Sequence, residues 1–136
     1  MNVERAFVDT NVMLYLLSEQ DPGKREAAAR AMNGITRVIS TQVINEICNV
    51  CLRKLKYPVS KVEKAVIEIY QQYHVSTVTR GTELSALRLH ERYRYSYYDC
   101  LMLASALENN CTVLFSEDMA DGQLIGGRLT IRNIFA

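Results

Sequence analysis

Arg5-Ala6-Phe7-Val8-Asp9-Thr10-Asn11-Val12-Met13-Leu14-Tyr15-Leu16-Leu17 changes its period halfway along. Ala6, Phe7 and Val8 form a continuous apolar run, the pattern of a short strand buried on both faces. Asp9-Thr10-Asn11 breaks it. From Val12 the apolar positions return at helical spacing, through Val12, Met13, Leu16 and Leu17. A buried strand that passes within three residues into an amphipathic helix begins a strand–helix–strand unit, and it leaves the Asp9 carboxylate at the strand's carboxyl end.

The alternation continues outward from there. Asp21-Pro22 marks a turn, with Pro22 suited to the first position of a helix that runs through the alanine-rich Lys24–Met32 and stops at Asn33-Gly34. Arg37–Ser40 reads as a second strand, and Thr41 as the N-cap of a helix carrying Glu46, which Tyr57-Pro58 stops. Ser60 and Glu63 have the spacing of a capping box for a helix with Val62, Ala65, Val66, Ile69 and Tyr73 on one face. His74–Thr79 is a third strand. Gly81-Thr82 leads into a helix ending near Tyr93, and a last helix runs from about Tyr97 to Asn109-Asn110. Cys111–Phe115 is a fourth strand and Leu129–Ile134 a short fifth, with Gly122, Gly126 and Gly127 making a loop between them. Strands alternating with helices predict an α/β fold: a single three-layer α/β/α sandwich over residues 1–136, with a mainly parallel central sheet of about five strands.

At 136 residues the chain is long enough to bury one proper core, and 49% hydrophobic with 23% charged residues is a globular balance that excludes a disordered chain. A net charge of +1 leaves nucleic acid open as a partner, because a basic rim can coexist with an acidic pocket. The sequence shows neither a basic-then-apolar leader nor an apolar run of spanning length, so the expectation is a soluble, cytoplasmic protein without a membrane partner. Cys48 and Cys51 form a C-x-x-C, but they lie on the apolar stripe Ile44, Ile47, Cys48, Cys51, Leu52, Leu55, inside a helix rather than at its start. A zinc site needs two further ligands, and the histidines are only His74 and His90. These cysteines read as small buried hydrophobes.

Four acids fall where apolar runs end or helices begin: Asp9, Glu46, Asp99 and Asp118. Each has an ordinary account. Asp9 and Asp99 can cap helices, Glu46 can face water, and Asp118 can form a turn. Against this, Asp99 shares a helical face with Leu103 and Ala106, and Glu46 lies one turn from Val43 and Val50. No lysine or arginine stands one turn from Asp99 to pair with it, and an unpartnered carboxylate beside a packed surface is costly. In an open α/β sheet ligands collect beyond the carboxyl ends of the strands. Carboxylates gathered there would make a negative pocket suited to hard cations such as Mg²⁺ or Mn²⁺.

Four segments carry a family resemblance: Phe7-Val8-Asp9-Thr10-Asn11-Val12, Ser40-Thr41-Gln42-Val43-Ile44-Asn45-Glu46, Tyr97-Tyr98-Asp99-Cys100-Leu101-Met102-Leu103-Ala104 and Leu114-Phe115-Ser116-Glu117-Asp118-Met119. In order and spacing, from about Val3 to Ile134, the chain resembles the PIN-domain ribonucleases, in particular the VapC-type toxins of bacterial toxin–antitoxin pairs. The resemblance implies a PIN-like fold and places the family's acidic quartet on Asp9, Glu46, Asp99 and Asp118, as catalytic residues and metal ligands. Thr10 or Asn11, with Ser116, takes the supporting polar positions. Asp121 is a further acid nearby, outside the core set.

The implied activity is metal-dependent endoribonuclease action with Mg²⁺ or Mn²⁺, a toxin inhibiting translation. Water attacks an RNA phosphodiester and leaves a 5′-phosphate and a 3′-hydroxyl. The implied partners are the RNA substrate, an antitoxin protein whose tail crosses the acidic groove, and a second copy of the chain in a homodimer. Arg88, Arg92 and Arg94, interleaved with Tyr93, Tyr95, Tyr97 and Tyr98, are candidates for holding RNA by phosphate contact and base stacking, or else form a solvated helix end with core-packed tyrosines. Arg53, Lys54 and Lys56 read as a solvated face. The alternative function is a non-catalytic PIN-like RNA- or protein-binding module. A phosphoryl-receiving signalling domain or an aspartate-nucleophile phosphohydrolase fits poorly: Asp9 is followed by Thr10-Asn11 rather than a second acid, and no lysine follows Cys111–Phe115.

Overall fold

The strand β1 (Arg5–Val8) lies inside the sheet because Ala6, Phe7 and Val8 are fully buried and neither face of it tolerates water. The computed structural model describes residues 3–136, so the expected domain span of 1–136 includes two residues, Met1 and Asn2, that lie outside the described ones. β1 pairs in parallel with β2 (Thr36–Ser40) on one side and β4 (Val113–Phe115) on the other, so that Phe7 stands between Val38 and Leu114. β3 (His74–Ser76) extends the sheet beyond β2. β6 (Leu129–Arg132) and the two-residue β5 (Leu124–Ile125) extend it beyond β4, giving the order β3-β2-β1-β4-β6-β5. Among the described residues only β5 runs antiparallel.

Six helices fill the connections among the described residues: α1 (Thr10–Leu17), α2 (Pro22–Ala31), α3 (Thr41–Arg53), α4 (Val59–Gln72), α5 (Arg80–Tyr93) and α6 (Tyr97–Glu108). Right-handed crossovers put α1–α4, which connect β1 outward to β3, on one face, and α5–α6, which return to β4, on the other. This is the three-layer α/β/α sandwich expected from the alternation. Cys100 to Ala106 of α6 are all buried, because this helix lies against the sheet on one side and against α5 on the other.

Among the described residues the sheet has six strands rather than about five. The extra one, β5, falls in the glycine-bearing stretch read as loop: Gly126 and Gly127, at φ 59° and 73°, turn the chain back so that Ile125 pairs with Leu129. Two residues are too few to show a period of two. Thr41 is the first helical residue of α3 rather than its cap; its hydroxyl instead accepts a hydrogen bond from the Val78 amide at 3.1 Å. α4 begins directly after Pro58, which places Ser60 within the first turn and leaves that end without a side-chain cap. The capping box occurs at α5, between Thr79 and Thr82, and it shortens the third strand, which ends at Ser76.

A candidate acidic active site

The chain leaves β1 in one direction, toward β2 and β3, and resumes beside β1 at β4 to build the other half of the sheet. Between β1 and β4 lies the switch point at which a crevice opens beyond the strand ends. The Asp9 amide donates to the Phe115 carbonyl at 3.1 Å, so both strands end at one level and deliver Asp9 and the Ser116-Glu117-Asp118 turn to that crevice. α3 starts directly after β2 and contributes Glu46. α6 begins with Ser96 as its cap, and its first turn contributes Asp99.

Asp9, Glu46, Asp99 and Asp118 line a single cavity of about 300 Å³, together with Thr10, Asn11, Leu14, Asn49, Val50, Tyr98 and Met102. No lysine, arginine or histidine is among these residues. Each supporting residue holds a different acid. The Ser116 hydroxyl donates to Asp9 Oδ2 at 2.9 Å, Thr10 Oγ1 donates to Glu46 Oε1 at 2.6 Å, and Asn11 Nδ2 donates to Asp118 Oδ2 at 2.7 Å. The choice between Thr10 and Asn11 therefore dissolves, since both orient a carboxylate. Glu117, the neighbour of Asp118, turns away to form an ion pair with Lys24 and accepts a hydrogen bond from Tyr15 at 2.7 Å, which draws its carboxyl below the usual range.

Asp9 is only 5% exposed, and burial pushes its pKa up to about 6, with Asp99 and Asp118 adding repulsion and the Ser116 hydroxyl working against the shift. Asp99 is raised by burial too, and by Asp118, while Ser96 opposes the rise. Two raised carboxyls in a cleft without a protein cation describe a site short of positive charge. The donors are all hard oxygens, which fit Mg²⁺ or Mn²⁺. Among the described residues, however, no three His, Cys, Asp or Glu side chains stand at the spacing of a closed metal shell. The hydroxyl and amide contacts hold the carboxylates to the walls, and a shared ion would have to draw them inward.

Several predicted residues lie elsewhere. Arg88 and Arg92 line a separate cavity of about 340 Å³ with Arg128, on α5 and α6, whose lining shares no residue with the acidic cleft. Arg94 is exposed in a left-handed conformation that ends α5, at φ 67°. Asp121 accepts from the Asn133 amide at 2.8 Å and is not part of the cleft lining. The tyrosines divide. Tyr93 accepts a hydrogen bond from the Gly126 amide in the β5–β6 turn and Tyr95 one from the Ala120 amide in the loop after β4, whereas Tyr98, 62% exposed, stands on the cleft rim. Asn49 and Met102 escaped the sequence reading. Both follow a cleft acid by three residues on its own helix, and that spacing was the available signal. Cys48, Cys51, Cys100 and Cys111 are all free, and burial raises the Cys51 thiol, which keeps it protonated and unreactive.

A mainly parallel α/β sheet with four carboxylates lining one cleft at its switch point defines an acidic α/β crevice site. A family model described as the PIN domain matches residues 6–120, and the chain belongs to that family. Its fold is similar to a toxin–antitoxin complex from Klebsiella pneumoniae, 17% identical with a TM-score of 0.74 over 95% of this chain and 97% of that one. It is also similar to VapC20 of Mycobacterium tuberculosis, a sarcin-ricin loop cleaving toxin, at 24% identity and a TM-score of 0.65 over 80% and 86% of the two chains. A third is VapBC2 from Rickettsia felis bound to a DNA fragment from its promoter, at 14% identity and 0.66 over 94% and 98%. No curated protein sequence matches the chain.

Proposed function

We propose that this PIN-domain protein is a divalent-metal-dependent endoribonuclease acting as the toxin of a toxin–antitoxin pair, inhibiting translation in the cytoplasm. The observation that carries the reading is the cleft lined by Asp9, Glu46, Asp99 and Asp118 with no cationic side chain among its walls. Such a cleft repels a phosphodiester on its own. Asp9, Asp99 and Asp118 would hold Mg²⁺ or Mn²⁺, which when bound would supply activation of the attacking water and neutralise charge on the phosphate. Glu46, oriented by Thr10, takes the proton from that water or helps hold a second ion. The new bond to phosphorus is from the water oxygen, the bond from phosphorus to the 3′ oxygen breaks, and that oxygen takes a proton from solvent water, leaving a 5′-phosphate and a 3′-hydroxyl. Tyr98 offers its exposed ring to an unpaired base. Arg88, Arg92 and Arg94 form, in this reading, a basic flank that attracts RNA by charge without entering the cleft.

The partners follow as part of the same proposal. An antitoxin tail carrying a basic residue suits the uncompensated acids, and several proteins of like fold are toxin–antitoxin complexes. A homodimer suits the α3–α4 face, where Leu52, Val59 and Ile67 are 42%, 69% and 53% exposed around Cys48, Val62 and Val66. Sedimentation at micromolar concentration is expected to give twice the monomer mass, and Ile67→Glu to restore the monomer; a monomeric wild type excludes the dimer.

Incubation with structured RNA is expected to give discrete fragments in Mg²⁺ or Mn²⁺ and none in EDTA, with cleavage restored by adding back the ion. Equal cleavage with and without EDTA excludes the metal assignment. The wall-held carboxylates, which form no closed shell, favour the second reading, a non-catalytic PIN-like RNA- or protein-binding module. Retention of RNA without cleavage under any divalent ion selects that one.

A further inference from the structure

The acidic cleft continues past the acids. A second cavity of about 220 Å³ adjoins it, and the two share Asn11, Leu14 and Val50 in their walls. On one side the wall is a single stripe of α3 and its cap, Glu46, Val50 and Lys54, spaced by four residues, so that successive members stack along one helix face. On the other side α1 presents Asn11, Leu14, Tyr15 and Ser18. Leu14 and Val50 make an apolar stretch midway. The groove runs from Glu46 to Lys54, eight residues or about 12 Å along the helix at 1.5 Å per residue.

Lys54 is the one cation in the lining of either cavity, it is exposed, and it has no ion-pair partner among the described residues. Asp21, at the same end, already caps α2 by accepting from the Lys24 amide at 3.1 Å. The charge thus goes from four carboxylates at one end to Lys54 beside Asp21 at the other, with Leu14 and Val50 between them.

Resting on the nuclease reading above, we propose that Lys54 holds a backbone phosphate of the single-stranded RNA flanking the cut site, as the strand passes along the groove between α1 and α3. The aliphatic middle of the groove takes ribose or base, which have apolar faces, and Tyr98 stands at the opposite, acidic end. Two features favour a single strand: the groove is bounded by two packed helices, and it leads from four carboxylates to an end where Lys54 is the cation, beside the helix-capping Asp21. Arg88, Arg92 and Arg128 lie in a cavity that shares no wall with this track. Lys54 is a binding residue at a distance from the reacting phosphate, so its removal acts on KM and leaves kcat in place.

The test uses the full chain with Mn²⁺ and two RNAs, a long strand and a short one ending beside the cut phosphate. Lys54→Ala is expected to raise KM on the long strand roughly tenfold, leave its kcat and the short strand unchanged, and lower the salt slope of binding by about 0.7. Lys54→Arg is expected to keep wild-type values. In a scan of neutral methylphosphonates along the long strand, one position is expected to weaken the wild type as much as the alanine variant and to add nothing to it. A lysine that merely satisfies the end of α3 would lower the melting temperature and show no such coupling. Unchanged long-strand KM in Lys54→Ala, or additive methylphosphonate effects at every position, overturns the assignment while wild-type cleavage preserves the nuclease reading. A wild type that cleaves neither RNA overturns both.

Discussion

Asp9→Asn is expected to lower kcat for RNA cleavage at least about a thousandfold, equivalent to roughly 4 kcal/mol of transition-state stabilisation. The substitution is close to isosteric and keeps the local structure. Asparagine caps a helix about as well as aspartate, so its one oxygen can keep the contact from the Asn11 amide at 3.4 Å, while its amide nitrogen, a donor only, stands where Oδ2 accepted from the Ser116 hydroxyl. What disappears is one negative charge at the point where β1 and β4 end together. Asp99→Asn is expected to act alike, since Asp99 supplies charge from the first turn of α6, where its amide donates to the Ser96 hydroxyl at 3.1 Å. In growing bacteria, induced wild-type protein is expected to arrest growth and translation, and the Asp9→Asn protein to permit both. Wild-type cleavage rates from purified Asp9→Asn protein sink the assignment of Asp9 to the reaction.

The same residue is expected to make the metal-free protein less stable as pH rises from about 4 to about 6. In that window the folded chain keeps a proton on Asp9 that the unfolded chain has released, because burial raises the folded value from 3.8 to about 6. The folded state therefore binds more protons, and stability falls with pH; between 3.8 and about 6 the loss amounts to up to about 3 kcal/mol, complete above the folded value. Asp99, also raised, adds in the same direction. Glu117 acts oppositely and at lower pH, since its ion pair with Lys24 is lost as Glu117 becomes protonated. Chemical denaturation in EDTA at pH 4.5 and pH 7 reads the difference. Asp9→Asn is expected to remove most of the pH dependence and to be the more stable protein at pH 7. Millimolar Mg²⁺ or Mn²⁺ is expected to restore stability to the wild type and to leave the variant unmoved. A wild type whose stability is flat from pH 4.5 to 7 in EDTA contradicts the buried, proton-holding Asp9.

Much of this architecture is written in local pattern. Ala6-Phe7-Val8 and Val113-Leu114-Phe115 are apolar throughout because a parallel strand between two helical layers meets no water, and that needs only neighbouring residues to be read. Pro22 opens α2 and Asn109 ends α6 for equally local reasons, a fixed φ and the end of the periodic run. Where local signals competed, they misled. Ser60 and Glu63 have capping-box spacing, but Pro58 starts the helix earlier; Gly126 and Gly127 read as loop, while the edge of the sheet recruits their neighbours into a hairpin.

The amino-acid order determined that Asp9, Glu46, Asp99 and Asp118 each follow a strand or open a helix, since strand and helix periods are properties of a few adjacent residues. Only the folded chain decided that all four line one cleft, that Ser116, Thr10 and Asn11 each hold a different acid, and that Glu117 turns to Lys24 while Asp118 faces the others. It also decided that Arg88 and Arg92 face another cavity and that Lys54 ends the groove. These contacts join residues up to 107 positions apart. Their partners are chosen by sheet order and helix packing, which no short stretch of sequence contains.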